Sequence, residues 1–174
     1  MTLSLRVLGA ALLLALPACS SSQPAPTSSC PRVAVLSELA ELVRFRPGAD
    51  RDLTDVALEV KFDRFNFGCR YDKQAVSVEV ELSLEATRGP AMAQPKTTFD
   101  YFAAITNPAG EIVAKETFTA EIEFKGNATR LIIADELVQR IPLIDRNSGP
   151  DWGVLLGLQL TDEQREWIRR RRTR

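Results

Sequence analysis

Three cysteines, Cys19, Cys30 and Cys69, are the most reactive side chains in this 174-residue sequence, and it contains no histidine to activate them. That absence removes the Ser-His-Asp and Cys-His nucleophile arrangements, the usual histidine-containing zinc sites and the default proton shuttle near neutral pH. Carboxylates are the next candidates. Glu79, Glu81 and Glu85 stand at alternate positions, so a strand would carry all three on one face. Acid–base catalysis would need one of them buried with a raised pKa; the pattern reads instead as a solvated strand face. Asp50, Asp52 and Asp55 lack the glycine and distal glutamate of a calcium loop. No glycine-rich phosphate cradle is present. Gly153 and Gly157 interrupt an apolar strand pattern, as at a bulge or a close packing contact. The chain therefore reads as a non-enzyme with no metal and no cofactor.

The amino terminus carries a different chemistry. Val7–Leu16 is apolar apart from Gly9, about the length of a signal-peptide core and well short of the roughly 20 residues that span a bilayer. It ends in Leu16-Pro17-Ala18-Cys19, followed by three serines. This tetrapeptide resembles the lipobox of bacterial lipoproteins, with Leu three positions before a cysteine and a small residue directly before it. The resemblance implies cleavage between Ala18 and Cys19, diacylation of the Cys19 thiol with palmitate-type chains, and acylation of the new amino terminus. Two or three buried acyl chains hold a protein firmly, each methylene contributing about 0.8 kcal/mol. Ser20 stands where the enterobacterial sorting rule places the Asp that retains lipoproteins in the inner membrane. By that resemblance the protein is expected in the outer membrane, facing the periplasm.

Residues 1–18 are thus expected to be a signal peptide and residues 19–29 a lipidated, disordered linker, since Ser20–Ser29 is polar, Pro-containing and without periodicity. Ten such residues reach at most about 33 Å. Once Cys19 is assigned to lipid, Cys30 and Cys69 remain as an even pair in an oxidising compartment. A disulfide between them is expected; two buried free thiols are the alternative.

Residues 30–174 then form a single domain. Its pattern is period 2: Leu58, Val60 and Phe62 alternate with Glu59, Lys61 and Asp63; Val76 to Leu84 alternate with Ser and Glu; Phe118, Ala120, Ile122 and Phe124 alternate with Thr and Glu. Such segments are strands with one buried and one wet face. Thr98–Ile105 and Val154–Leu160, apolar on both faces, read as more central strands. Asn107-Pro108-Ala109-Gly110 predicts a tight hairpin, Lys125-Gly126-Asn127 another reversal, Asp72-Lys73-Gln74 a weaker one, and Arg88 to Pro95 a longer loop. Leu36, Leu39, Ala40 and Val43 fall at helical spacing. Ile132–Arg140 fits strand or helix. Thr161 with Gln164 resembles a capping box opening a short helix from Asp162 to about Arg171, acidic at its start and basic at its end. Phe65, Phe67, Tyr71, Phe99, Tyr101 and Phe102 read as core packing.

Seven or eight such strands predict an all-β antiparallel β-sandwich with a short C-terminal helix, immunoglobulin- or fibronectin-like in broad layout only, a small barrel being the competing fold. The order of signal, lipobox, polar linker, paired cysteines and β-domain is similar to that of a family of small uncharacterised envelope lipoproteins of Gram-negative bacteria. "CPRVAVLSELAELVRFRPGADRDLTDV", "TRGP", "YFAAITNPAGEIVAKETF" and "IPL" carry that resemblance. It implies a lipid-anchored envelope protein and no established activity. Net charge is −1, which argues against nucleic-acid binding. Arg165, Arg169, Arg170, Arg171, Arg172 and Arg174 nevertheless form a basic tail suited to an anionic surface. The expected function is a non-enzymatic protein-binding or envelope-assembly module tethered to the membrane, with an envelope protein as partner. The alternative is a lipid- or glycan-binding lipoprotein using that tail. The sequence leaves the oligomeric state open.

Overall fold

The computed structural model describes residues 29–48 and 51–173. The expected signal peptide, the expected Ala18–Cys19 cleavage and Cys19 acylation, most of the expected linker, Asp50 and Arg174 lie outside the described residues.

Eight strands form two four-stranded sheets: β1 (Arg32–Val35), β2 (Glu41–Phe45), β3 (Val56–Tyr71), β4 (Ala75–Arg88), β5 (Lys96–Thr106), β6 (Ile112–Glu123), β7 (Arg130–Pro142) and β8 (Gly153–Leu158). One sheet has the order β1-β8-β5-β6 and the other β2-β3-β4-β7. Helix α1 (Asp162–Arg172) follows β8. This is an all-β sandwich with a C-terminal helix, and the period-2 pattern explains it. The odd-and-even split of β4 sends Val76, Val78, Val80, Leu82, Leu84 and Ala86 inward, all fully or nearly fully buried. They meet Phe99, Tyr101, Ala103, Leu156 and Leu158 from the facing sheet. β5 and β8, read as central, lie between neighbours on both sides.

Turn chemistry holds at the expected places. Asn107–Gly110 closes the β5–β6 hairpin, with Gly110 at φ +81° and its N–H bonded to the Asn107 carbonyl at 2.9 Å. Asp72 closes the β3–β4 hairpin, its Oδ1 accepting from the N–H groups of Gln74 and Ala75 at 2.8 Å each. The Gln74 N–H first, then the Arg140 guanidinium and the Ala75 N–H, hold its carboxyl below the usual carboxylate range. The Lys125–Asn127 reversal has Gly126 at φ +56° and carries the chain from one sheet to the other.

Three expectations are corrected. Leu36 to Val43 is not a helix: a single 3-10 turn, Ser37–Leu39, bends the chain into β2. Pairing overrides the helical spacing, because Glu41 registers with Lys61 on β3 and the Ala40 carbonyl accepts from Phe62 N–H at 3.0 Å. The sandwich is not wholly antiparallel, since β1 and β8 run parallel from Arg32↔Gly153 to Val35↔Leu156. Glu85 is not solvated. It is only 6 % exposed on the outer face of β4, held by Lys61 Nζ at 3.2 Å and by the Arg130 guanidinium. Alternation tells which face a residue takes; it cannot tell which charged neighbours cover it from the adjoining strands.

Gly157 marks close packing. A Cβ there would meet Phe102 Cζ at 2.7 Å and Leu39 Cβ at 3.1 Å. Phe102 is thereby buried on the outer face of its sheet, at 4 % exposure, with the Lys115 ammonium 4.2 Å from its ring centre.

Candidate interaction surface

Each sheet of a sandwich ends in two edge strands, and an uncovered edge presents unpaired N–H and C=O groups. Here the two flanks of the sandwich are treated differently. On the flank where β1 and β2 lie, several devices close the molecule. Cys30 and Cys69 stand at disulfide distance, their Cα atoms 5.6 Å apart, joining the approach to β1 with the end of β3. The Tyr71 hydroxyl donates to the Ser29 carbonyl at 2.7 Å.

Helix α1 seals the rest of that flank. Thr161 caps it, accepting from Gln164 N–H at 3.2 Å while Gln164 Oε1 accepts from Thr161 N–H at 2.9 Å. Asp162 and Glu163 occupy the positive end of the helix dipole and Arg169–Arg172 the negative end. Ile168 is buried at 3 % exposure, and Trp167 packs edge-on against Phe45 of β2 at 5.3 Å between ring centres. The basic tail takes part in this closure. Arg165 pairs with Asp162, Arg170 with Glu166 at 3.3 Å, Arg171 stacks on Trp167 at 5.3 Å, and Arg172 donates to the Ser37 carbonyl. Arg169 is exposed. The aspartates once comparable to a calcium loop also serve the fold. Asp52 caps the 3-10 turn Leu53–Asp55, and Asp55 pairs with Arg46 at 2.7 Å. Among the described residues, no group of three or more Cys, Asp or Glu side chains is arranged to hold a metal ion.

The opposite flank has no such cover. It consists of β6 and β7, edge strands of 12 and 13 residues. Of the seven large hydrophobic side chains that the described residues leave exposed, four are on these two strands: Ile112, Val113, Ile132 and Val138, each more than half exposed. Ile132 and Val138 share the outer face of β7 with Ala134 and Glu136. Ile132, Ala134 and Glu136 border a shallow depression of about 640 Å³ whose other walls include Arg64, Asn66, Glu81 and Ser83; Val138 lies outside it.

Near this flank the two sheets are joined by polar bridges as well as by apolar contact. The Tyr101 hydroxyl, from the middle of β5, donates to the Asp135 carboxylate on β7. Gln139 Nε2 donates to Glu116 Oε2 on β6 at 3.3 Å. Burial first, and then the Asp135 carboxylate, push the Tyr101 phenol above its usual pKa of about 10. A raised folded-state pKa contributes stability that is fully present below that ordinary value and is lost as pH climbs through the folded one. The midpoint of urea unfolding should therefore fall between about pH 10 and pH 12 more steeply for the parent chain than for Tyr101→Phe. Parallel curves for the two proteins would show that the phenol does not titrate with folding.

Sequence reasoning placed Phe118–Phe124 in a strand, left Ile132–Arg140 open between strand and helix, and did not distinguish this flank from the closed one. The available signal was length: β6 and β7 are long and contain no internal proline between Ile112 and Arg140. No family model matches the chain, and no curated protein matches it.

Proposed function

We propose that this protein is a membrane-anchored envelope lipoprotein of the periplasm, tethered through acylated Cys19, that acts as a non-enzymatic binding or assembly module. The observation that carries the binding part is the uncovered flank, above all β7, where Ile132 and Val138 are exposed and Ile132 borders a mainly apolar depression. A row of free backbone groups supplies affinity by strand addition, and alternate side chains supply selectivity. The partner is another protein of the envelope that offers an extended segment or an apolar ridge to this strand. The lipobox-like Leu16–Cys19 supports the anchor.

Two measurements test the two parts separately. Cys19→Ala should move the chain from the membrane to the soluble fraction; continued sedimentation with membranes would contradict acylation there. A photoreactive phenylalanine at Ile132 or Val138, activated in intact cells, should give a discrete heavier adduct with another protein. The same probe at Glu163 on the closed flank should give none. Equal adducts from all three positions, or none from β7, would overturn the binding surface.

A further inference from the structure

The free edge of β6 carries enough information to name an occupant. Just past the end of β6, Phe124 N–H bonds to the carbonyl of Pro95, the residue before β5, at 2.9 Å, and Tyr101 registers with Phe118. N–H and C=O directions alternate along an antiparallel strand. The even positions of β6 therefore address β5, and Lys115, Thr117, Thr119, Glu121 and Glu123 direct their backbone groups to the empty side. The register shift near Ile105/Thr106 lies beyond this stretch.

Edges are normally blunted by a lysine or by an inward-pointing charge. β6 has both, and both are drawn off the edge. Lys115 lies back across its own sheet, its Nζ 2.7 Å from Gln159 Oε1 and over the Phe102 ring. Glu116 is tied to Gln139. The edge is left long and without proline or bulge from Lys115 to Glu123.

We propose that β6 pairs with β6 of a second copy of this chain, antiparallel about a two-fold axis through Phe118. That register sets Lys115 opposite Glu121 and Thr117 opposite Thr119 on the outer face, each twice by symmetry, and the Lys115 ammonium exchanges Gln159 Oε1 for the facing Glu121 carboxylate on pairing. On the inner face Phe118, already stacked on Tyr101 at 5.5 Å, meets its own counterpart, and Glu116 meets Ala120. The four outward pairs exchange about eight backbone hydrogen bonds. Opposite charges, Thr–Thr pairs and aromatic pairs are the favourable cross-strand combinations. Sliding the axis to Thr117 sets Glu116 against Phe118, and sliding it to Thr119 removes the Phe118 pair. β7 offers no comparable match: axes at Asp135 or Glu136 oppose that carboxylate to itself. The two four-stranded sheets that contain β6 become one eight-stranded sheet, and β7 is left for a different partner. This pairing is independent of the membrane anchor.

Register-specific cross-linking on the full-length chain tests it. Thr117→Cys and Thr119→Cys, co-expressed and oxidised, should form a mixed disulfide dimer, whereas either variant alone should not. A cross-link from Thr117→Cys alone, or none from the mixture, would overturn the register. Sedimentation equilibrium of the detergent-solubilised chain should show a dimer that Lys115→Glu weakens by at least roughly tenfold, because like charges then oppose at two symmetric places. Lys115→Glu combined with Glu121→Lys should restore it. A monomeric parent chain, or a charge swap that fails to restore the dimer while thermal unfolding is unchanged, would overturn the proposal.

Discussion

Changing both Cys30 and Cys69 to Ser should lower the stability of the folded chain by about 4 kcal/mol, the loop-closure value for a bridge spanning 39 positions. The effect is large because of what the bridge restrains. β1 has four residues, pairs with β8 alone and is the parallel edge of its sheet. Parallel pairing is slightly weaker per residue than antiparallel pairing. Without the link, the approach to β1 is held by the Tyr71–Ser29 hydrogen bond and by Arg32 N–H to the Trp152 carbonyl at 3.1 Å. The denaturation midpoint of the double variant should fall well below that of the parent. Reductant should lower the parent towards the variant and leave the variant unmoved. Coincident midpoints for oxidised parent, reduced parent and variant would show that the two sulfurs are not covalently joined.

Gly89→Ala should be nearly as damaging, on the order of 3 kcal/mol, at the upper end of overpacking costs. Gly89 stands where the chain leaves β4 for the other sheet. Its N–H bonds to the Ala57 carbonyl at 2.9 Å, and Ala91 N–H bonds to the Val56 carbonyl at 2.9 Å. A Cβ would overlap the Val56 carbonyl, which is backbone already engaged in the crossover. The residue is needed for this close approach and not for a left-handed conformation, since Gly89 is not among the positive-φ glycines. Gly68 in β3 is the matched control: a Cβ there meets nothing within 4 Å. Gly68→Ala should be neutral or stabilise by about 0.4–1 kcal/mol through the unfolded chain. Thermal unfolding of the two variants should therefore shift in different directions or by clearly different amounts. Equal shifts would mean that the crossover yields and that the contact at Gly89 carries no cost.

Much of the fold was legible in the residues because burial on one sheet face imposes a two-residue period. Val76 to Leu84 announce β4 with no further information, and Asn107–Gly110 announces its hairpin because proline and glycine restrict or free φ locally. The Thr161–Gln164 cap was legible for the same reason, being a contact between residues three apart. Where the reading failed, the deciding contact was distant in sequence. β2 looked helical until its partner β3 is considered. Glu85 looked wet until Lys61 and Arg130 are brought over it from strands on either side. Ile132–Arg140 stayed ambiguous until β4 aligned it from Val78↔Gln139 to Glu85↔Ile132.

The sequence by itself determined the absence of histidine, the pairing of Cys30 with Cys69 once Cys19 is set aside for the proposed anchor, and the β character of the body. These follow from local composition and short periods. Only the tertiary structure decided which flank is sealed and which is open. Whether an edge is covered depends on where a helix remote in the chain comes to rest, as Trp167 does on Phe45, 122 positions away. It also depends on whether guarding charges such as Lys115 and Glu116 point along the edge or fold back to Gln159 and Gln139. Both are outcomes of packing between segments remote in the chain, and no window of sequence contains them.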